Sequence, residues 1–203
     1  MKKALFSVGV LLAALPSQAN AAVNIYVTDD GTNALVQVLG SLNLSGFTKI
    51  ALNGTEPGSD FIQGHGGILY AGNPSQGLQA YTGLLNNNSY GDYGTSFANS
   101  GAGTGFGING VYTLPRLLLP TSYVSGAAIS ASATYLYRTI DSLGLIRGDY
   151  VYESSSDTIT LHIGQSASAV PEPASWGLVI AGVGAVGGAM RRKRKGRTAV
   201  RFA

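Results

Sequence analysis

The chain has 203 residues, 13 Lys and Arg against 10 Asp and Glu, a pI near 9.2 and no cysteine. Most of the cations lie at the two ends, and residues 22–164 hold four cations against nine carboxylates. This acidic middle lacks the clustered basic surface of a nucleic-acid-binding protein, and the absence of cysteine excludes a disulfide framework. About 140 residues remain between the ends, which is enough for one packed domain.

The first 21 residues have the three parts of a secretory signal peptide. Met1 is followed by two lysines, residues 4–15 form an uncharged apolar run, and Ala19 and Ala21 make an A-x-A cleavage site. We therefore predict a signal helix over 1–21, passage through the Sec translocon, and cleavage by signal peptidase after Ala21.

Residues 22–164 alternate apolar and polar side chains in short runs separated by Gly, Asn, Asp and Ser, which is typical of strands and turns. No long amphipathic helix interrupts them. The pattern predicts an all-β domain, an antiparallel sandwich (jelly-roll-like) or a barrel, of which we favour the sandwich. The predicted strands cover 23–28, 34–44, 47–52, 67–71, 105–113, 127–140, 150–152 and 157–163.

Three details of this domain are predicted from local sequence. Asp29-Asp30-Gly31 between two alternating runs indicates a hairpin turn. In the longest run, the alternate residues from Ile129 to Tyr137 are expected to share one face, and Ser130, Ser132, Thr134 and Arg138 the other. The stretches 86–94 and 101–105 are rich in turn residues, and we expect part of them to be mobile.

The domain shows no motif for catalysis or for a metal cofactor. His65 and His162 are isolated, with no second histidine at a metal-ligand spacing, and no G-x-S-x-G is present. His65 lies in a Gly-rich loop, and His162 falls on the polar face of the last strand, where we expect a solvated side chain. We predict no catalytic, cofactor-binding or metal-ligating residue and no enzymatic activity.

Two binding alternatives remain open at this stage. Residues 29–33 and the pair Gly91-Asp92 offer oxygen atoms to calcium, although neither matches an EF-hand loop and a simple turn is favoured. Aromatic side chains on strands are more often core, but four of them are candidates for a glycan-stacking surface. These are Tyr81, Tyr90, Tyr93 and Tyr112.

The C-terminal stretch has a sequence of features that defines its role. Pro171-Glu172-Pro173 follows the small-residue linker 165–170 and precedes the uncharged run 174–190, which is about 26 Å long as a helix. That length is slightly short of a hydrocarbon core. The run ends at the cations Arg191, Arg192, Lys193, Arg194 and Lys195. The pattern predicts one transmembrane helix whose basic end, 191–203, stays in the cytoplasm.

The triplet, the apolar run and the basic cluster closely resemble the PEP-CTERM sorting signal of Gram-negative bacteria. The resemblance implies recognition by an exosortase, removal of the tail near Pro171, Glu172 and Pro173, and delivery to the surface or matrix. This tail is also known as an ice-binding-protein C-terminal domain, a label that describes the tail alone. Short phrases of the domain are similar to other exported bacterial proteins with such tails. These phrases are 40–46, 120–126, 142–145 and 157–164.

We therefore predict four segments: a signal peptide 1–21, a β-sandwich 22–164, a linker 165–170 and a sorting signal 171–195. The expected function is that of an exported, exosortase-processed surface or matrix protein, held briefly in the cytoplasmic membrane and associated with exopolysaccharide or biofilm. A carbohydrate- or surface-binding module is the alternative, and a hydrolase is less favoured.

Overall fold

The computed structural model describes residues 22–52, 59–73, 75–110 and 115–167. The predicted signal helix, the transmembrane run 174–190 and the sorting triplet lie outside these residues. Within the described ranges, no helix is both long and apolar enough to cross a membrane. The chain divides into two compact units, Met1–Gln165 and Ser166–Ala203, and the fold below is that of the first. The four predicted segment boundaries stay predictions.

The described part contains thirteen strands and one 3₁₀ helix, Leu44–Gly46. The strands form a six-stranded sheet, in the order β12-β13-β1-β2-β11-β8, and a seven-stranded sheet, in the order β3-β6-β10-β9-β5-β4-β7. The strands are β1 Ala22–Asp29, β2 Ala34–Ser41, β3 Thr48–Ile50, β4 Phe61–Gln63, β5 Ile68–Ala71, β6 Leu78–Thr82, β7 Thr95–Phe97, β8 Ser100–Gly103, β9 Phe106–Asn109, β10 Arg116–Pro120, β11 Ala128–Tyr135, β12 Gly148–Glu153 and β13 Thr158–Ile163.

The prediction of an all-β domain with antiparallel sheets and almost no helix is confirmed. One strand pair departs from it, because β1 and β13 run parallel, with Val23 opposite Ile159 and Val27 opposite Ile163. Parallel neighbours need a long connection, and here the whole domain connects them. The first and last strands therefore lie side by side in the interior of the six-stranded sheet.

Strict alternation in β1, β2, β11 and β13 builds the core between the sheets. Every second residue is buried over 23–27, 34–38, 129–135 and 159–163, as expected for strands with one face inward. From the seven-stranded sheet, apolar side chains such as Ile62, Leu69, Ile108 and Leu117 join the same buried cluster. The inward faces predicted for Ile159, Leu161 and Ile163 are confirmed.

The predicted hairpin joins β1 and β2. Asp30 Oδ1 accepts hydrogen bonds from the backbone N–H of Thr32, at 2.8 Å, and of Asn33, at 2.7 Å, and Gly31 takes φ +86°. Further along β2, Gly40 also has positive φ, and a Cβ there would stand 2.0 Å from the carbonyl oxygen of Ala22. Glycine at this position lets β1 and β2 pair at their far end.

The prediction that Tyr137 shares a strand face with Ile129 and Tyr135 is wrong. Strand β11 ends at Tyr135, and Tyr137 takes a left-handed φ of 57° with 85 % of its surface exposed. Its backbone N–H donates to Asn33 Oδ1 at 3.0 Å, so the β1–β2 turn holds the chain in this bend. The alternation of the sequence continues past the point where the backbone stops being extended.

The stretches predicted to be turn-rich include ordered structure. Residues 101–103 of the second stretch belong to β8, an edge strand of the six-stranded sheet, and Gly91 of the first stretch forms an isolated bridge with Leu145. Asn86 Nδ2 donates to the Val151 carbonyl at 2.5 Å, and its Oδ1 accepts the Glu153 N–H at 2.8 Å. Asn88 Nδ2 donates to the same Val151 carbonyl at 2.8 Å. Side-chain amides thus occupy the outer edge of β12, where an unpaired strand would otherwise invite another chain.

Three tyrosines occupy the centre of the core. Tyr90, Tyr135 and Tyr152 are fully buried, and within the described residues their hydroxyls have no hydrogen-bond partner. Burial raises the pKa of all three phenols, and in Tyr90 the neighbouring phenols of Tyr152 and Tyr135 raise the pKa further. Each hydroxyl loses its hydration on folding, which costs about 1–3 kcal/mol when nothing replaces it.

Replacing Tyr90 by Phe is expected to stabilise the domain. The ring stays in the core while the unpaired hydroxyl is removed, so the free energy of unfolding should rise by about 1 kcal/mol. Chemical denaturation of wild type and Tyr90→Phe measures this. The control is Tyr137→Phe, at an exposed hydroxyl, which should leave stability unchanged. A loss of stability in Tyr90→Phe would show that the buried hydroxyl is paired.

Candidate functional site

The outward face of the six-stranded sheet carries a series of polar side chains. Because Val23, Ile25 and Val27 point into the core, the alternate residues Asn24 and Tyr26 stand on the opposite side. The same rule places hydroxyl, amide and imidazole side chains of β2, β11 and β13 on this face. They are Gln37, Ser130, Ser132, Thr134, Thr158, Thr160 and His162.

The strand register aligns five of these side chains into one row across five strands. Ser132 lies opposite Gln37, Gln37 opposite Tyr26, Tyr26 opposite His162, and His162 opposite Asp149. Neighbouring strands are about 4.8 Å apart, so the row is about 19 Å long. We call these five residues the polar row.

His162 is more enclosed than a solvated strand residue. Its Nδ1 lies 2.7 Å from Asp149 Oδ1, and its Nε2 lies 3.3 Å from Asn24 Oδ1. Its ring stacks on Tyr26, with centroids 4.9 Å apart and an interplanar angle of 15°. Only 18 % of the side chain is exposed. The polar-face position predicted for His162 is correct, but neighbours on both adjoining strands hold its ring.

Asp149 ties this cluster to the end of the domain. Its Oδ1 also accepts a hydrogen bond from Gln165 Nε2 at 2.9 Å, just beyond β13. The two hydrogen bonds at Asp149 fix the imidazole of His162 and the amide of Gln165, and Tyr26 stacks on the imidazole that is held in this way. Such a pair binds a flat apolar surface with little loss of side-chain entropy.

A groove lies beside this aromatic pair, over β2, β11 and β8. It has a volume of about 260 Å³ and is lined by Gln37, Leu39, Ala102, Gly103, Ser130 and Ser132. The groove exists because β8 and the outward positions of β11 carry only small side chains, whereas β1 and β2 carry longer ones. The surface therefore steps down from Tyr26 and Gln37 toward the edge strand.

A second depression, of about 410 Å³, continues in the same direction. Its lining includes Thr134 and Leu35, which pair with each other and follow Ser132 and Gln37 along their strands. It ends at the β1–β2 turn, at Asp30 and Asn33. The two depressions thus follow β2 and β11 over most of their length.

The turn carboxylates proposed above as calcium ligands serve the turn itself. Asp29 Oδ1 accepts from the Gly31 N–H at 3.1 Å, and Asp29 Oδ2 accepts from the Ile140 N–H at 3.0 Å. The hydrogen bonds from the Asn33 and Thr32 N–H groups lower the pKa of Asp30. Across the described ranges, no group of three or more His, Asp or Glu side chains is placed to hold a metal ion.

The candidate tyrosines separate into two groups. Tyr81 and Tyr90 are core residues, and Tyr112 lies outside the described residues. Tyr93 is 74 % exposed and stacks on His65, with ring centroids 3.5 Å apart. This pair lies beside the seven-stranded sheet, whereas His162 belongs to the six-stranded one, so the structure does not bring the two histidines into one site.

Asp60 is the carboxyl group with the largest upward pKa shift. Burial raises its pKa to about 6, against a usual 3.8, and a hydrogen bond from the Gly72 N–H, at 3.2 Å, opposes the shift only in part. A Cβ at Gly101 would stand 1.6 Å from Asp60 Oδ2, and the Asp60 carbonyl accepts from the Ala98 N–H at 2.9 Å. Asp60 therefore sits where β7 and β8 cross between the sheets, in a structural position.

A comparison with protein-family models matches residues 169–195 to the PEP-CTERM protein-sorting motif. The chain carries a PEP-CTERM protein-sorting motif. A comparison with curated proteins and one with solved structures each found no match. The matched segment includes the predicted sorting residues Pro171, Glu172 and Pro173 and the cations 191–195; these, like Ala19 and Ala21 of the signal peptide, lie outside the described residues.

The PEP-CTERM motif implies export, exosortase-dependent sorting to the cell surface, and exosortase as the processing partner. The polar row of this PEP-CTERM protein was not found from sequence, although one signal was available. Asn24, Tyr26 and Gln37 alternate with buried residues, which predicts an outward face. The sequence does not show which strands are neighbours, and the polar row cannot be predicted without knowledge of the β1–β13 pairing.

The stability of the protein is expected to depend on pH through Asp60. The pKa of Asp60 is about 6 when folded and near the usual 3.8 when unfolded, so between these values the folded state binds more protons. Wild type should therefore be most stable, relative to Asp60→Asn, below pH 3.8, and should lose about 3 kcal/mol of that advantage as pH rises through 6.

Denaturant titrations of both proteins from pH 3.5 to 7.5 measure this difference, and other titrating groups cancel in the comparison. Asp92→Asn, at an exposed carboxyl, is the control and should follow wild type. A stability difference between wild type and Asp60→Asn that stays constant with pH would contradict the assignment.

Proposed function

We propose that this protein is a non-enzymatic component of the cell surface or extracellular matrix that associates with exopolysaccharide. The observation that carries the proposal is the PEP-CTERM motif at 169–195, which follows a cysteine-free β domain. An acidic surface of low charge density and a polar sheet face that no other described strand covers suit a protein embedded in a hydrated polymer.

The route begins with the Sec translocon and signal peptidase, which cuts after Ala21. The run 174–190 then holds the chain in the cytoplasmic membrane, with the cations 191–195 inside. Exosortase cuts near Pro171-Glu172-Pro173 and releases the domain from this anchor. The hydrophobic tail thus acts as a discarded address, as in lipid-anchor signals whose tail is removed.

The side chains with catalytic potential support a non-enzymatic role. His162 is bound to Asp149 and Asn24 and stacked on Tyr26, and His65 is stacked on Tyr93. A hydrolase needs a nucleophile or an activated water beside its base. Among the residues that the structure describes, neither histidine contacts a serine or threonine hydroxyl, and hydrolysis is therefore the less favoured function.

A carbohydrate- or surface-binding module is the second candidate. The observation that favours it is the outward face of the six-stranded sheet, which combines the Tyr26–His162 stack with amides and hydroxyls. Sugar-binding sites pair apolar surface with a few placed polar groups, and this face has both. Matrix association and glycan binding are compatible, because binding would retain the protein in the matrix.

Processing is tested by changing the triplet. Replacing Pro171, Glu172 and Pro173 by alanine should leave the full-length chain in the membrane fraction, because exosortase no longer recognises it. Wild-type protein from the surface should lack the residues beyond about Pro173. Mass spectrometry of C-terminal peptides measures whether the tail is present in the variant and absent from the wild-type surface protein.

The matched control replaces Ser166 and Ser168, just before the motif, by alanine, and it should be processed as wild type. An intact Arg201-Phe-Ala203 end on wild-type surface protein would overturn the processing step.

Matrix association is tested by fractionation. We expect most surface-released wild-type protein to co-sediment with extracellular polysaccharide and to become soluble after that polysaccharide is enzymatically degraded. Protein that remains soluble in the presence of intact polysaccharide would contradict the association, without affecting the sorting assignment.

A further inference from the structure

The groove over β2, β11 and β8 has a chemistry that selects its ligand. Its lining presents the hydroxyls of Ser130 and Ser132, the amide of Gln37, and the apolar surfaces of Leu39 and Ala102. Within the described residues, the side chains of Gln37, Ser130 and Ser132 make no hydrogen bond, so their donors and acceptors are available to a ligand. A ligand that matches this lining has many hydroxyls and alternating C–H surfaces.

The charges on the six-stranded sheet further limit the class of ligand that the groove can bind. None of the six strands β1, β2, β8, β11, β12 and β13 contains a Lys or Arg, and their charged side chains are the carboxylates Asp29, Asp149 and Glu153. Recognition of a uronic acid or phosphate needs cations or clustered N–H donors, and this face offers neither. The groove lining itself has no charged residue.

The shape of the groove indicates a linear ligand. Ser130, Ser132 and Thr134 stand at every second position of β11, about 6.8 Å apart, and the second depression extends the groove past Thr134 toward Asn33. On the side of the groove nearer the centre of the sheet, Gln37 is opposite Tyr26. The Tyr26 ring stacks on the His162 ring, with the ring centroids 4.9 Å apart. The site is thus a ladder of hydroxyls bounded by a fixed aromatic wall.

We propose that this groove binds a segment of an uncharged polysaccharide lying along β2 and β11. Ser130, Ser132 and Gln37 exchange hydrogen bonds with the sugar hydroxyls, and Leu39 contacts a C–H face of a sugar ring. Tyr26 supplies the aromatic wall, and the Asp149–His162 pair positions it. An extended peptide would instead pair its backbone with the open edge of β8. The inference rests on the proposed association with exopolysaccharide and assigns it to one face.

The test measures binding of surface-recovered protein to immobilised polymers of three kinds: an uncharged glucan, a polyuronate and a cationic polyglucosamine. Wild type should bind the glucan at least about tenfold more tightly than either charged polymer, which corresponds to about 1.4 kcal/mol. Ser132→Trp places a large ring in the groove and should weaken glucan binding by about tenfold or more. Gln37→Ala should weaken it about fivefold through the loss of hydrogen bonds.

The matched control is Thr158→Trp, which adds the same ring to an exposed position of the same face, on β13 and outside the groove. It should bind as wild type. Circular dichroism confirms the fold of each variant, and Gln37→Ala keeps the test valid if either Trp variant fails to fold.

Several results would contradict the proposal that this groove binds an uncharged polysaccharide. These are equal glucan binding by wild type, Ser132→Trp and Gln37→Ala, binding to a charged polymer as tight as to the glucan, and binding of extended peptides in place of glucan. The proposed function fails separately, if wild type is not found with the matrix polysaccharide. If wild type and both groove variants are retained in the matrix equally well, the groove is not the binding site. The proposed association with exopolysaccharide would remain valid in that case.

Discussion

The parallel pairing of β1 with β13 is the constraint on which the rest of the domain depends. It joins the first and last strands of the domain and places both in the interior of the six-stranded sheet. Because side chains alternate along each strand, this one register fixes which residues enter the core and which face outward. A shift by one residue would expose Val23 and Ile25 and bury Asn24 and Tyr26.

The outward face inherits its chemistry from that register. Tyr26 meets His162 only because the strands run parallel, and His162 meets Asp149 only because β12 pairs with β13 on its other side. The groove has a different origin, in the small residues of β8 and β11. Gly101 of β8 pairs with the buried Ala133 and closely approaches Asp60 on the core side, whereas Ala102 and Gly103 of the same strand line the groove.

The signal that sorts the protein is local in the sequence, whereas the surface that we propose for ligand binding depends on the fold. The sorting motif is a contiguous run, 169–195, that can be recognised without knowledge of the fold. The polar row takes one residue from each of five strands, from Ser132 on β11 to Asp149 on β12, and no local motif marks it. A chain of this kind is therefore easier to place in the cell than to assign a ligand.

Local sequence predicted the elements whose signal is local. The hairpin at Asp29-Asp30-Gly31 and the buried face of β13 are correct, since turn chemistry and alternation act over a few residues. The alternation predicts a strand that continues past Tyr137, but β11 ends at Tyr135. The backbone bends there because the Tyr137 N–H donates a hydrogen bond to Asn33, about a hundred positions away. Residues 86–88 form no strand or helix, as their composition predicts, but the hydrogen bonds of Asn86 and Asn88 to β12 could not be predicted from local sequence.

The sequence by itself determined the all-β class, the acidic and cysteine-free character of the domain, and the export and sorting of the chain, because composition, alternation and contiguous motifs carry these properties. Only the tertiary structure decided that β1 and β13 are neighbours, that Tyr26 and His162 stack, and that a groove runs along β2 and β11. Strand order and register arise from packing between residues far apart in the chain, and a single sequence does not record which strands pair.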